Sequence, residues 1–301
     1  MSQKLMLILN PHAGHKESRL RLFELVDLFS SHDCTVTVCP TRKKSDASRF
    51  VKEMGKDFDL ILCCGGDGTL NEVVTGLMSM KHKPDVGYIP AGTTNDMAAT
   101  LHLPRSLLKA AEVILRGNVR EHDIGTFHDG YFVHVAAFGA FTDIPYVTPQ
   151  HVKIALGPLA YVLEGIRRLP ELRAHHMIVE HDGRRLEEDF IFGAVTNSIS
   201  MGGIKNPMPG NVRLDDGLFE VLLVRNPTTP HQLRRTLTDL SRRKYDNENV
   251  MFFQTAAVSF LSDQPVPWTV DGEDGGQRLE TSIRNLPRSI RFLGGKPTDK
   301  T

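Results

Sequence analysis

The stretch richest in chemistry is Gly65-Gly66-Asp67-Gly68-Thr69-Leu70-Asn71-Glu72, which follows the apolar run Leu60 to Cys64 and opens a helical period. Glycines let backbone amides approach a phosphate closely, and a helix N-terminus adds partial positive charge. Asp67 opposes that role, because a carboxylate repels phosphate. A Mg²⁺ ion between the two removes the conflict, since it takes oxygen ligands from a carboxylate and from phosphates together. The plainer reading is a tight turn in which Asp67 or Thr69 is an ordinary N-cap. Two further loops follow apolar runs in the same way: Asn10-Pro11-His12-Ala13-Gly14 after Leu5 to Leu9, and Pro90-Ala91-Gly92-Thr93-Thr94-Asn95-Asp96 after Val86 to Ile89. Each alone is loop punctuation. Three of them at the carboxyl ends of strands make a site rather than three coincidences, and Thr41, just past Val36 to Cys39, is a further candidate. In the second half, Arg213-Leu214-Asp215-Asp216-Gly217-Leu218 and Val270-Asp271-Gly272-Glu273-Asp274-Gly275-Gly276 stand out. Asp-Gly beside a strand is ordinarily a turn. Glu273, flanked by glycines, is the candidate general base.

Absences narrow the chemistry. There is no Gly-x-x-x-x-Gly-Lys-Ser/Thr loop and no Gly-x-Gly-x-x-Gly fingerprint, which disfavours P-loop ATPases and standard dinucleotide oxidoreductases. Gly-x-Ser-x-Gly and His-Glu-x-x-His are also missing. The 13 histidines show no ligand spacing. Cys34, Cys39, Cys63 and Cys64 are too few for a disulfide scaffold and contain no C-x-x-C pair. Lys and Arg number 36 against 36 Asp and Glu, so no nucleic-acid partner is expected. No apolar run reaches the ~18 residues of a membrane span, and a signal-peptide core is not seen; a cytoplasmic protein is expected.

The elements that must position these residues change character along the chain. Through about Asn118, Leu5 to Leu9, Val36 to Cys39, Leu60 to Cys64 and Val86 to Ile89 read as strands. Helical spacing lies between them, at Leu22/Leu25/Val26/Phe29, Ala47/Phe50/Val51/Met54 and Leu70/Val73/Val74/Leu77, and again at Leu107/Ala110/Ala111/Ile114. Such alternation predicts an α/β unit with a parallel sheet, whose ligands bind at the carboxyl ends of the strands. Beyond it the chain reads as antiparallel β: Tyr131 to Ala137, Met177 to His181 with Arg184 to Phe190 across Asp182-Gly183, Phe190 to Val195, Leu218 to Val224, Val258 to Leu261 and Val266 to Val270. Two helices interrupt it. One lies around Leu156 to Leu169; the other starts at Thr229-Pro230 and carries Leu233, Leu237 and Leu240.

Asn-Pro-x-x-Gly, Gly-Gly-Asp-Gly-Thr-Leu-Asn-Glu, Gly-Thr-x-Asn-Asp, Leu-Asp-Asp-Gly and Val-Asp-Gly-Glu stand here in the order and approximate spacing of soluble bacterial diacylglycerol kinases. The chain resembles that family, part of the wider lipid kinases with sphingosine and ceramide kinases, from about Lys4 to Phe292. Gly-Gly-Asp-Gly-Thr alone also occurs in close form in NAD kinases and phosphofructokinases. The resemblance implies an ATP-binding α/β domain over 1–122, with 286–301 returning to it, and a β-sandwich-like lipid-substrate domain over 123–285. It implies ATP contacts from Asn10, Pro11, His12, Ala13, Gly14, Thr41, Gly66, Asp67, Gly68, Thr69, Leu70, Asn71, Glu72 and Thr93. Asp67 would hold the catalytic Mg²⁺. A structural Mg²⁺ would take the Asp216 side chain and the carbonyls of Arg213 and Leu218, linked to Asp67 through water. Asp96 would support the site, and Glu273 would be the base for the lipid hydroxyl.

Two positions depart from the family. Ala13 stands where a hydroxyl residue is common, and Arg213 suits a metal position only through its carbonyl. The implied reaction is Mg²⁺-dependent phosphorylation of diacylglycerol to phosphatidic acid, at the inner face of the membrane. Phosphorylation of phosphatidylglycerol or a sphingoid base, or an NAD kinase-like reaction, is the alternative. A homodimer is expected on the general prevalence of two-fold assemblies.

Overall fold

A computed structural model describes residues 2–13, 21–139, 173–201, 204–205, 212–242, 244–245 and 247–295. Gly14 and the helix expected around Leu156 to Leu169 lie outside them.

The first half lays down β1 (Gln3–Leu9), α1 (Leu22–Ser30), β2 (Cys34–Pro40), α2 (Asp46–Met54), β3 (Leu60–Gly65), α3 (Asp67–Met78), β4 (Asp85–Pro90), α4 (Asp96–Thr100) and α5 (Leu107–Leu115). β1 pairs in parallel with β2 and β3, and β3 in parallel with β4. Every residue of β3 is buried, as the continuous apolar run requires of a strand covered on both faces. The helices present the stripes read from the sequence: Leu25 and Phe29 of α1, Val51 of α2 and Leu70, Val73, Val74 and Leu77 of α3 are buried in one cluster with the strands.

The second half is β5 (Val119–Phe127), β6 (Gly130–Phe132), β7 (Val135–Gly139), β8 (His175–His181), β9 (Arg184–Thr196), the short pair β10 (Ser200–Met201) and β11 (Ile204–Lys205), β12 (Phe219–Arg225), α6 (Pro230–Ser241), β13 (Val250–Thr255), β14 (Ala257–Val270) and β15 (Glu273–Leu293). Its pairings are antiparallel, β9 between β7 and β12 and β14 between β7 and β15. A second core forms around Trp268, whose ring lies 4.9 Å from Phe138, 5.2 Å from Phe260 and 5.5 Å from Phe127. Thr229 caps α6 by accepting the Gln232 amide at 3.2 Å, with Pro230 in the first turn.

Several strand boundaries differ from the sequence reading. Tyr131 to Ala137 is two strands, because the amides of Val133, His134 and Val135 turn to the Asp271 carboxylate. Arg184 to Val195 is a single strand, and so is Val258 to Val270, with a register shift between Leu261 and Val266. The 21-residue β15 reads as polar in sequence but buries alternate side chains at Thr281, Ile283 and Asn285. It also joins the two cores. Ile283 packs with Trp268, whereas Ile290, Phe292 and Leu293 pack with the first half, where Phe292 and Leu293 pair in parallel with Val86 and Gly87. One hydrogen-bonded sheet therefore runs from β13 to β2.

Candidate active site

The loops after β1, β3 and β4 meet at one rim. Asn10 donates to the Thr69 hydroxyl at 3.0 Å, and its backbone amide bonds Cys64 O at 2.9 Å. The Gly66 and Gly92 backbones are in direct contact: a Cβ on Gly92 would lie 2.6 Å from Gly66 Cα. Only glycine permits that approach. Asn95, at φ +54°, locks the third loop by accepting from the Gly92 amide (2.9 Å) and the Tyr88 hydroxyl (3.0 Å) while donating to Gly92 O (2.7 Å).

Between these loops and the β14–β15 turn lies a cleft of about 680 Å³. Asn10, His12, Ala13, Gly66, Gly68, Thr69, Asn71, Glu72, Thr93 and Glu273, all read from the sequence, line it. Phe127, Tyr131 and Val270 add an apolar side. The cleft thus combines amide-rich, polar and apolar walls.

Asp271 and Gly272 form the two-residue turn between β14 and β15, both at positive φ (+48° and +84°), with Val270 paired to Glu273 across it. The Asp271 carboxylate is more than a turn residue. Its Oδ2 accepts from Asn71 Nδ2 and the Val133 amide, both at 2.7 Å, and its Oδ1 from the amides of His134 (2.8 Å) and Val135 (3.0 Å). It thereby ties α3, the β6–β7 connection and the turn together. Glu273 is the first residue of β15, and its Oε1 lies 3.5 Å from where a Cβ on Gly68 would stand. A Cβ at Gly68 would be in ordinary contact with the carboxylate, which places Glu273 over the start of α3.

Asp67 sits at the N-terminus of α3 and accepts from the amides of Asp96 (3.1 Å) and Met97 (3.3 Å), so it also caps α4. Buried His134 Nε2 is 3.7 Å away, an ionic approach beyond hydrogen-bond length. Burial pushes the Asp67 carboxyl up, but His134 and the two amides outweigh it and hold the group below its ordinary value. Burial likewise pushes His134 down, and Asp67, Asp271 and Asp96 reverse this, raising it to about 9. Asp67 is therefore ionised at neutral pH. Nothing in the sequence singles out His134; a lone histidine within an apolar run carries no ligand spacing.

Other expected residues have different surroundings. Thr41 is buried, with its amide (2.8 Å) and hydroxyl (3.4 Å) on Leu9 O, and it does not line the cleft. Leu70 is in the core. Glu72 accepts the amides of Ser45 (2.8 Å) and Ala47 (3.2 Å), capping α2 from outside. In the Arg213–Leu218 loop, Asp216 Oδ1 accepts the Leu218 amide at 3.1 Å, and the Arg213 guanidinium donates to Asp215 at 3.5 Å. Asp123 anchors that loop, accepting from Gly217 and Arg288 amides at 2.7 Å each. Among the described residues no three acidic, histidine or cysteine side chains converge as a metal cage.

The Diacylglycerol kinase catalytic domain family matches residues 4–127, and the YegS C-terminal NAD kinase beta sandwich-like domain family matches residues 146–294. A diacylglycerol kinase of Bacillus subtilis (strain 168) is 32% identical over 289 residues, 95% of each chain. Another, of Staphylococcus carnosus (strain TM300), is 32% identical over 303 residues, 100% of this chain and 98% of its own. For the fold, a crystal structure of a diacylglycerol kinase from Bacillus anthracis str. Sterne aligns over 97% of both chains with a TM-score of 0.77 at 21% identity. Three loops at one rim, two of them meeting through glycines, an ionised Asp67 behind them and a glutamate over the start of α3 are thus set in a chain with full-length kinase relatives, and the chain belongs to the diacylglycerol kinase family.

Proposed function

We propose that this chain transfers the γ-phosphoryl group of ATP to the free hydroxyl of diacylglycerol, giving ADP and phosphatidic acid. The observation that carries this reading is the Glu273 carboxylate over Gly68, at the mouth of the phosphate-type loops. In the proposed reaction the nucleotide phosphates lie against the amides of the Gly66 and Gly92 loops, and the glyceride enters along Phe127, Tyr131 and Val270. Glu273 accepts the hydroxyl proton as the lipid oxygen bonds to the γ-phosphorus and the bond to the β-phosphate oxygen breaks. A positioned general base adds roughly 10²–10⁴-fold, while orientation of the two substrates supplies much of the rest.

The residues fit Mg²⁺. Asp67 is ionised and its side chain is 18% exposed. The second expected set is the Asp216 carboxylate with the carbonyls of Arg213 and Leu218, all oxygen donors, as a hard cation that keeps waters prefers. The Arg213 guanidinium is paired with Asp215, and only its carbonyl is proposed for that set. Bound Mg²⁺ supplies charge neutralisation on the transferring phosphates. Asp67 and Asp216 are the side chains proposed to hold it, and Asp96, whose amide bonds Asp67, keeps Asp67 oriented. The proposed division is an ATP domain over 1–122 with 286–301 returning, and a lipid domain over 123–285. No helix among the described residues is long and apolar enough to cross a membrane. The proposed enzyme works from the cytoplasm, at the membrane surface, during turnover.

The test is transfer of labelled γ-phosphate from ATP to a panel of lipids in mixed micelles, with Mg²⁺ present and then chelated. Mg²⁺-dependent label in phosphatidic acid is the expected result. Label only in another lipid moves the substrate; label on NAD, or on nothing, overturns the reading.

A further inference from the structure

The Asp271 anchor fixes the main chain at the turn, but it does not fix the Glu273 side chain, which is 59% exposed. Among the described residues, the group that bonds it is the Lys44 ammonium, 3.0 Å from Oε2. Lys44 belongs to the β2–α2 loop, which is pinned on both sides. Asp46 accepts the amides of Arg42 (2.8 Å) and Lys43 (3.1 Å), and Glu72 accepts that of Ser45 (2.8 Å). Two buttressed turns that line the cleft therefore bring one cation and one carboxylate together. Lys44 is also the sole lysine or arginine among the described residues lining the cleft, beside the carboxylates of Glu72, Glu273 and Asp274.

We propose that Lys44 is a positioning residue for the phosphoryl transfer: by binding Oε2 of Glu273 it leaves Oε1, the oxygen over Gly68, to take the lipid hydroxyl proton. This rests on Glu273 being the base. The O–H bond of the lipid breaks with its proton going to Oε1. The lipid oxygen bonds to the γ-phosphorus, and the electron pair of the broken P–O bond leaves with ADP. Lys44 keeps its proton throughout and steers the carboxylate.

The test compares Lys44→Met, Lys44→Arg, Glu273→Gln and the Lys44→Met/Glu273→Gln double variant, assayed with ATP and diacylglycerol in mixed micelles. Glu72, Asp274 and His12 face the same cleft and stay unchanged in every variant. An exposed ion pair of this length is expected to give Lys44→Met a two- to fivefold lower kcat, roughly. The KM for ATP should stay within about twofold of wild type, Lys44→Arg should restore kcat, and Lys44→Met should add nothing to Glu273→Gln. A higher KM for ATP with kcat unchanged would make Lys44 a phosphate ligand and overturn the proposal. An unchanged Lys44→Met overturns it too. If Glu273→Gln is inactive while Lys44→Met is normal, only the Lys44 inference fails. If Glu273→Gln turns over like wild type, the base assignment fails and Lys44 falls with it.

Discussion

Replacing Asp271 by Asn separates anchoring from the proposed catalysis within one turn. The aspartate receives four N–H donors, two on each oxygen, at 2.7–3.0 Å. Asparagine offers one oxygen, so whichever way it is turned, its NH₂ faces two donors and two bonds are lost. Hydrogen bonds to a charged group contribute about 1.5–3 kcal/mol each, which puts the cost of losing two at about 3–6 kcal/mol. At this chain length that corresponds to a fall of about 6–12 °C in melting temperature, at roughly 2 °C per kcal/mol. Thermal unfolding followed by near-UV circular dichroism measures it. Asp182→Asn is the internal control, because the same Asp-Gly dipeptide turns β8 into β9 with its aspartate 56% exposed. Asp182 accepts the Thr255 hydroxyl at 3.1 Å, a bond asparagine can keep, and its pair with His181 is exposed on the aspartate side, so that variant should melt near wild type. Glu273→Gln should also keep the wild-type melting temperature while losing roughly 10²–10⁴-fold in kcat. An Asp271→Asn protein melting within about 2 °C of wild type would refute the anchoring argument.

Two further outcomes follow from the same geometry. Gly92→Ala places a methyl 2.6 Å from Gly66 Cα, so the two loops must part; a loss of about 1–3 kcal/mol in stability and a raised KM for ATP are expected from calorimetry and nucleotide titration. His122 is fully buried, and burial, aided by nearby His134, pushes its pKa down to about 3. The unfolded chain protonates this site near pH 6.5 and the folded one does not, so its contribution is complete above 6.5 and is lost progressively as pH falls toward 3. His122→Gln should lessen the drop in denaturation midpoint between pH 7 and pH 5; an undiminished drop would assign the acid sensitivity elsewhere.

The strands β1 to β4 and helices α1 to α3 are legible because burial on one or both faces imposes a period on the residues themselves. The phosphate-type loops are legible for a different reason: glycines cluster where backbones must touch, as at Gly66 and Gly92. What the sequence hides is set by partners far along the chain. β15 carries charged side chains on its outward face, and its inward face alternates Thr281, Ile283 and Asn285, too polar a stripe to announce a strand that joins two cores. The break between Tyr131 and Ala137 depends on a carboxylate more than 130 residues later. Asp182-Gly183 and Asp271-Gly272 look alike in sequence, and both adopt the same two-residue turn. Only the donors brought in by α3 and the β6–β7 connection make the second one an anchor.

Glu72 lines the cleft and also holds a neighbouring helix. The resemblance gives it an ATP contact, and its two oxygens accept the amides of Ser45 and Ala47 at the start of α2. Ser45, the N-cap of that helix, stands at φ +69° and makes no cap with its own side chain, so α2 depends on a carboxylate from α3. That carboxylate also complements the partial positive charge of the helix N-terminus. Glu72→Gln keeps one acceptor and loses the other together with the charge, a cost of about 0.5–2 kcal/mol for a lost cap. Because the same bond holds the loop that carries Lys44, kcat should fall with stability while the KM for ATP stays close to wild type. Melting and steady-state kinetics on one preparation decide the matter. A normal melting temperature with a several-fold higher KM for ATP would put Glu72 on the nucleotide and leave the start of α2 to be held by something else.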